Sequence, residues 1–198
     1  MINEIFPQFY SDYFDEEFHT YKKELISLID ELSAEDGRTV SNKGGWQSEN
    51  YHPKFKPEFF KNEYGMRVVD FILSSATSLL NPMFAAKISG LWINVNPPGS
   101  YNEEHIHPNC LLSGVFYVRV PENSGNLTFV NSSEQRMPLS PFLSEHTIDS
   151  DYEVKPYDGQ MILFRSDLRH KVGTNQSQHN RISIAFNLEV ALKTDNIT

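Results

Sequence analysis

The chain of 198 residues holds a single cysteine, Cys110, which excludes an internal disulfide and fits a reducing compartment. It is short of cationic side chains, with 17 Lys and Arg against 26 Asp and Glu, a formal charge of -9. A surface for duplex nucleic acid needs clustered Lys and Arg, so that class of partner is excluded. A small anionic ligand is not, because one basic residue can sit in an acidic protein. No window approaches the roughly 18 apolar residues of a membrane span. The opening "MINEIFPQFYSDYF" carries acids and lacks the apolar run of a secretory leader. The expectation is a soluble, cytoplasmic protein without a membrane or nucleic-acid partner.

The sequence is rich in aromatics, with 14 Phe and 9 Tyr, and 39% of its residues are hydrophobic. That is enough apolar surface to bury a core, and the length suits one domain over 1–198. Residues 1–82 read as helical. Phe14, Phe18, Tyr21, Leu25, Ile29 and Leu32 recur at three- and four-residue steps, with Ser11 as N-cap and Gly37 as stop. A second helix is expected from Pro57 to Leu80, with Phe60, Tyr64, Val68, Phe71, Ile72, Ala76 and Leu79 as its stripe. Between them lies a loop with an exposed-looking Trp46. From residue 86 to 192 the period becomes two, in short β-branched and aromatic runs separated by Gly, Pro, Asn and Ser. This predicts an all-β sandwich or barrel with two helices packed on one face. Residues 132–151 read as an elaborated loop.

Seven histidines need sorting. His19, His52, His146 and His179 fall on a helix, in loops or in a turn, where a solvated or locally bonded role is the simpler one. His105 and His107, in "NEEHIHPN", differ. On an extended strand, residues two apart share a face, so both imidazoles and Glu103 would point one way. His170, in "FRSDLRHKV", precedes another two-period run. Three such histidines on neighbouring strands could close one face around a metal such as Fe(II). Rim positions for the first two and a buried hydrogen-bonded role for the third explain the spacing equally well.

Arg181, eleven residues after His170, adds a second kind of signal. Its strand, "NRISIAFNL", sends Ile182, Ile184, Phe186 and Leu188 to one face and Arg181, Ser183 and Ala185 to the other. A guanidinium, a hydroxyl and a methyl on one face suit a carboxylate ligand, which arginine binds through two parallel bonds. A surface ion pair on an edge strand is the competing explanation.

Taken in order, the His-x-His pair after a Pro-Gly turn, "SGVFYV", "VKPYDGQMILFRSDLRH" and "NRISIAFNL" resemble the iron(II)/2-oxoglutarate-dependent oxygenases of the prolyl-hydroxylase-like kind. The likeness is closest to small bacterial and phage oxygenases with a His-x-His-Pro motif, and covers about residues 88 to 190. It implies a double-stranded β-helix (jelly-roll) barrel behind N-terminal helices. It also implies a dioxygenase that uses Fe(II), 2-oxoglutarate and O2 to hydroxylate a target, releasing succinate and CO2. His105, His107 and His170 would be the metal ligands. Arg181, Ser183, Tyr117 and, at the metal end, Asn96 would bind the co-substrate. No catalytic residue beyond the ligands is implied, which agrees with the absence of a Ser-His-Asp or Cys-His set.

The chain departs from the common pattern at His107, where most of the superfamily has a carboxylate. Glu103 could supply one if a bulge intervened, and Cys110 could offer a thiolate. Ser113 and Gly114 would permit close packing, and Pro156 and Gly159 would make a hairpin turn. Two other readings stay open: a cupin-like three-histidine dioxygenase without 2-oxoglutarate, and a non-catalytic metal-binding barrel. The target, small or peptidyl, is expected at a mouth lined by Trp46, Tyr51, Phe55 and the 132–151 loop. The aromatic helical half could support a homodimer.

Overall fold

The structure, a computed structural model, describes residues 8–131 and 151–193. Two antiparallel sheets face one another without closing into a continuous barrel, in the jelly-roll arrangement. The larger has six strands in the order β1 (Tyr10–Phe14), β9 (Gln160–Arg165), β6 (Leu112–Arg119), β11 (Arg181–Leu192), β4 (Phe84–Asn96) and β3 (Trp46–Gln47). The smaller has five: β2 (Asn42–Lys43), β5 (Tyr101–His105), β10 (His170–Val172), β7 (Leu127–Phe129) and β8 (Tyr152–Val154). The helices are α1 (Lys22–Leu32), α2 (Glu58–Lys61) and α3 (Glu63–Leu79). Among the described residues no helix is long and apolar enough to cross a membrane.

Strand alternation splits the apolar side chains into two layers. Leu25 and Ile29 of α1, with Val68, Ile72 and Ala76 of α3, pack on the outer face of the large sheet. That face presents Leu91 and Ile93 of β4 and Ile182, Ile184, Phe186 and Leu188 of β11. Each such side chain, fully buried, contributes about 1.5–3 kcal/mol. A smaller layer between the sheets holds Tyr117, Leu127, Phe129, Val154, Ile162 and Phe164. With the helices covering the outer face, the inner face is left to carry polar groups.

The first expected helix is displaced. Ser11 caps nothing: residues 10–14 form β1, whose Tyr10 pairs with Phe164 and whose Phe14 pairs with Gln160. The open edge of β9 takes this segment's backbone hydrogen bonds, and Tyr10 stacks on Phe129 at 5.6 Å. A helix-like spacing that ran through Phe14 was therefore accidental there, and α1 ends at Leu32 rather than near Gly37. The second expected helix breaks at Asn62, whose backbone is extended at φ -85°, ψ 136°. Its side-chain oxygen accepts from the amides of Tyr64 and Gly65, so it caps α3 instead of continuing α2.

Gly114 sits where β6 presses on its neighbours. A Cβ there would meet Cζ of Phe186 at 2.4 Å and the carbonyl oxygen of Ile162 at 2.7 Å. Gly159 turns the chain before β9 at φ 79°. The segment 132–150, with His146, lies outside the described residues.

The packing at Gly114 gives a stability prediction. Gly114→Ala should cost about 1–3 kcal/mol, the usual penalty of overpacking, read as a lower urea midpoint with unchanged slope. An unchanged midpoint would mean that β6 does not pack this closely on β9 and on Phe186 of β11.

Candidate metal centre

The inner faces are organised in matched rows. On the small sheet, His105 pairs with His170, and His170 with Phe129; one row further, Asn102 pairs with Val172, and Val172 with Leu127. On the large sheet, Trp92 pairs with Ala185, and Ala185 with Val115; the adjacent row is Asn94, Ser183 and Tyr117. All of these except Phe129 line a single pocket, together with His107, Phe164 and Arg181. The pocket thus runs from an imidazole end to a guanidinium end, with a small apolar row and then a polar row between.

A bulge sets up the imidazole end. Asn102 and His105 are three apart where their partners Val172 and His170 are two apart. The extra residue turns Asn102 and His105 to the same inner face. It also turns Glu103 outward, onto Lys43 Nζ at 3.1 Å. The expectation that Glu103 shares the imidazoles' direction is corrected here: strict alternation fails across the bulge. His107 lies past the end of β5, its amide donating to the Ser166 carbonyl at 2.9 Å.

The ligand nitrogens of His105, His107 and His170 lie within 4.8 Å of one another. Nδ1 of His105 bonds the Glu103 carbonyl at 2.7 Å, and Nδ1 of His170 bonds the Leu168 carbonyl at 2.8 Å. A carbonyl only accepts, so both Nδ1 atoms carry protons and both Nε2 atoms present lone pairs. Nε2 of His107 lies 3.3 Å from Nε2 of His170. Burial lowers all three pKa values: His105 downward against its bond to Glu103, His107 to about 4 and His170 to about 3, with the charge of His105 adding to the last two. Converging neutral imidazoles with committed Nδ1 protons could hold a divalent metal, and backbone carbonyls behind ligand histidines are the usual support. The donor set fits.

At the other end Arg181 is 1% exposed. Its Nη1 donates to the Ser124 carbonyl at 2.7 Å and Nη2 reaches Asn102 Oδ1 at 3.4 Å. Both acceptors are neutral, and among the described residues no carboxylate pairs with this cation. Gly125, at φ 96°, allows the approach: a Cβ there would meet the Gly173 carbonyl at 2.1 Å and Arg181 Nη1 at 3.0 Å. Tyr117 is buried beside the guanidinium, its hydroxyl pKa raised by burial and lowered in part by Arg181. A buried guanidinium with neutral partners and an open pocket in front is a site for an anion.

Other expected residues fall differently. Asn96 is not at the pocket; its Nδ2 donates to Asn42 Oδ1 at 2.7 Å in a buried asparagine cluster. The pocket amide is Asn94, 6% exposed, whose Oδ1 has no hydrogen-bond partner. The period of β4 pointed to either, since residues 92, 94 and 96 share a face. Ser113 bonds Ser166 at 2.7 Å and Asn187 at 2.8 Å instead of reaching the pocket. Cys110 lies near the Pro108 carbonyl and outside the histidine cluster. Of the proposed mouth aromatics, Tyr51 is in the helix-side core against Phe59 and Phe55 is 77% exposed. Trp46 is half-buried and donates to the Glu35 carbonyl. Trp92, which sequence reasoning did not single out, lies 5.6 Å from the His107 ring.

A family model described as "Putative 2OG-Fe(II) oxygenase" matches residues 90–187. No curated protein matches the sequence. Among solved structures, a prolyl-4-hydroxylase from Pseudomonas putida is similar at TM-score 0.57 and 16% identity, covering 92% of each chain. A prolyl hydroxylase from Trichoplax adhaerens, in complex with a hypoxia inducible factor peptide fragment, has TM-score 0.60 at 13% identity, over 90% of this chain and 82% of that one. HygX from Streptomyces hygroscopicus, with nickel and 2-oxoglutarate bound, has TM-score 0.61 at 11% identity, over 94% and 84%.

The depressed imidazole pKa values make stability depend on pH. Above about pH 6.5 these groups are neutral in both folded and unfolded chains and contribute nothing. Below it the unfolded chain takes up protons that the native site refuses, so stability falls with pH until the native values are reached. For the metal-free protein the buried His170 alone should cost up to about 1.4 kcal/mol per pH unit. Urea midpoints at pH 7, 6 and 5 should decline, and His170→Asn should flatten the decline. A flat wild-type profile over that range would contradict the burial of these rings.

Proposed function

Since the chain belongs to the 2OG-Fe(II) oxygenase family, and is therefore an oxidoreductase using Fe(II), 2-oxoglutarate and O2, we propose that His105, His107 and His170 hold the iron and Arg181 anchors the co-substrate. The observation that carries this is the pairing, in one pocket, of converging imidazole nitrogens with a buried guanidinium that has no anionic partner among the described residues. Bound there, Fe(II) and 2-oxoglutarate supply O2 activation, coupling oxidation of a target to release of succinate and CO2.

The chain's own residues select and orient. Arg181 takes the far carboxylate of 2-oxoglutarate, and Ser183 and Tyr117, which are cross-strand neighbours, place hydroxyls beside it. Asn94, across from Ser183 on β4, replaces Asn96 as the amide that meets the ligand. Ala185, with only a methyl on the inner face, keeps the pocket between the two ends free of bulk. Leu127, Phe164 and Val172 exclude water from its walls, which strengthens each polar contact inside. No protein acid or base is needed beyond these contacts. The oxidised target, small or peptidyl, is a separate molecule.

The test is an anaerobic titration with Fe(II) and 2-oxoglutarate, followed in the visible region for the band that chelation produces. Wild-type protein should show it, and should release succinate once O2 is admitted. Arg181→Ala should weaken 2-oxoglutarate binding by roughly 2–5 kcal/mol, as removal of one partner of a buried charge pair does. Asn94→Ala should cost about 1.5–3 kcal/mol, the worth of a hydrogen bond to a charged group; Asn96→Ala and Glu103→Ala should leave binding nearly intact. Metal-loaded protein that shows no band, and is indifferent to Arg181→Ala, would sink the co-substrate assignment. O2 consumption without 2-oxoglutarate would favour a three-histidine dioxygenase instead.

A further inference from the structure

The three imidazoles are not held alike. His105 and His170 stand opposite each other on paired strands, and each has its Nδ1 proton fixed on a backbone carbonyl. Their ring directions are thereby set whether or not a metal is present. His107 is beyond the strand, followed by a turn in which Asn109 takes φ 67°. Among the described residues no hydrogen-bond acceptor other than His170 meets its ring. What places it is indirect. Trp92 packs against the ring at 5.6 Å, and the His107 amide is fastened to Ser166. Ser166 is itself buried, takes the Leu111 carbonyl through its amide, and is bonded through its hydroxyl to Ser113, which holds Asn187.

We infer that the centre is built as two plus one: a fixed His105–His170 pair, and a third ligand, His107, positioned from behind by Trp92 and Ser166 and able to leave the metal without loss of the pair. The inference rests on the metal-centre reading above and goes beyond it in ranking the ligands. The physical ground is the support each ligand receives from its outer partners, which orient the ring and raise its basicity. Two ligands have that support as a hydrogen bond from Nδ1 to a carbonyl, and the third has only the packing of Trp92 on its ring and a bond at its backbone. A loop ligand whose ring bonds no group but another ligand loses little when it rotates away, whereas either strand ligand must break its carbonyl bond or its sheet register to move. Trp92 and Ser166 are in this sense positioning residues. They touch the ligand and not the metal.

The experiment uses Co(II) as probe, so that neither 2-oxoglutarate nor turnover enters. Visible absorption reports the ligand set, and circular dichroism at each titration confirms folding. Wild type should bind one Co(II). His107→Ala should still bind one, with weaker affinity and a changed visible spectrum that added imidazole restores. His105→Ala and His170→Ala should lose saturable binding. Trp92→Leu and Ser166→Ala should keep the metal, within roughly the 10–100-fold loss typical of outer partners, while their spectra move toward that of His107→Ala; Trp92→Phe should retain the wild-type spectrum. Equal loss of Co(II) in all three histidine variants would overturn the ranking. Wild-type spectra in both Trp92→Leu and Ser166→Ala would overturn the positioning role. Failure of wild type to bind Co(II) would remove the metal centre itself, and is distinct from either of these results.

Discussion

A buried guanidinium that has no counter-ion among the described residues is the constraint around which this fold is arranged. Arg181 opens β11, the strand with neighbours on both sides near the middle of the large sheet, and points between the sheets. Removing such a group from water is costly unless its protons are taken up. The turn carrying Ser124 and Gly125 comes in close enough to accept from it, and Asn102 reaches it from the small sheet. These contacts satisfy protons but not charge. The unbalanced charge gives the pocket its preference for an anionic ligand, in a protein whose formal charge is -9.

That arrangement is possible because the apolar work is done elsewhere. The helices cover the outer face of the large sheet, where β11 presents its Ile, Phe and Leu side chains. The inner face of the same strand is then free to carry Arg181, Ser183 and Ala185. One strand therefore serves core and pocket, and its register against β4 and β6 sets which polar groups lie side by side. The histidines meet this row from the opposite sheet.

Much of this was legible from residue order. The two-residue period of "NRISIAFNL" carries the division of its faces, and the change of period near residue 86 marks where α3 gives way to the main run of strands, though it misses β1, β2 and β3 before it. What could not be read was anything depending on a partner strand. The first helix was overextended because an i, i+4 spacing at Phe14 looks the same whether or not an open edge at β9 captures the backbone. The second was drawn through Asn62 because its cap uses a side-chain bond that no periodicity records. Asn94 and Asn96 were indistinguishable by alternation, and only the cluster of Asn42 around Asn96 separates them. Glu103 was misplaced by the bulge, which depends on the register of β10 and leaves no trace in composition.

The bulge has an evolutionary corollary. Glu103 and Glu104 point away from the pocket, onto Lys43 and Arg169, so their chemical identity there is free; the register that holds their neighbours inward is not. Shortening the segment by one residue would restore regular pairing and leave Asn102 and His105, then two apart, on the same face; it is a one-residue slip of β5 against β10 that would turn both out of the interior. Substitutions at these two positions, and loss of one of them, are therefore expected to be tolerated where a slip of β5 against β10 is not: the constraint written into this stretch is register, while its letters can drift.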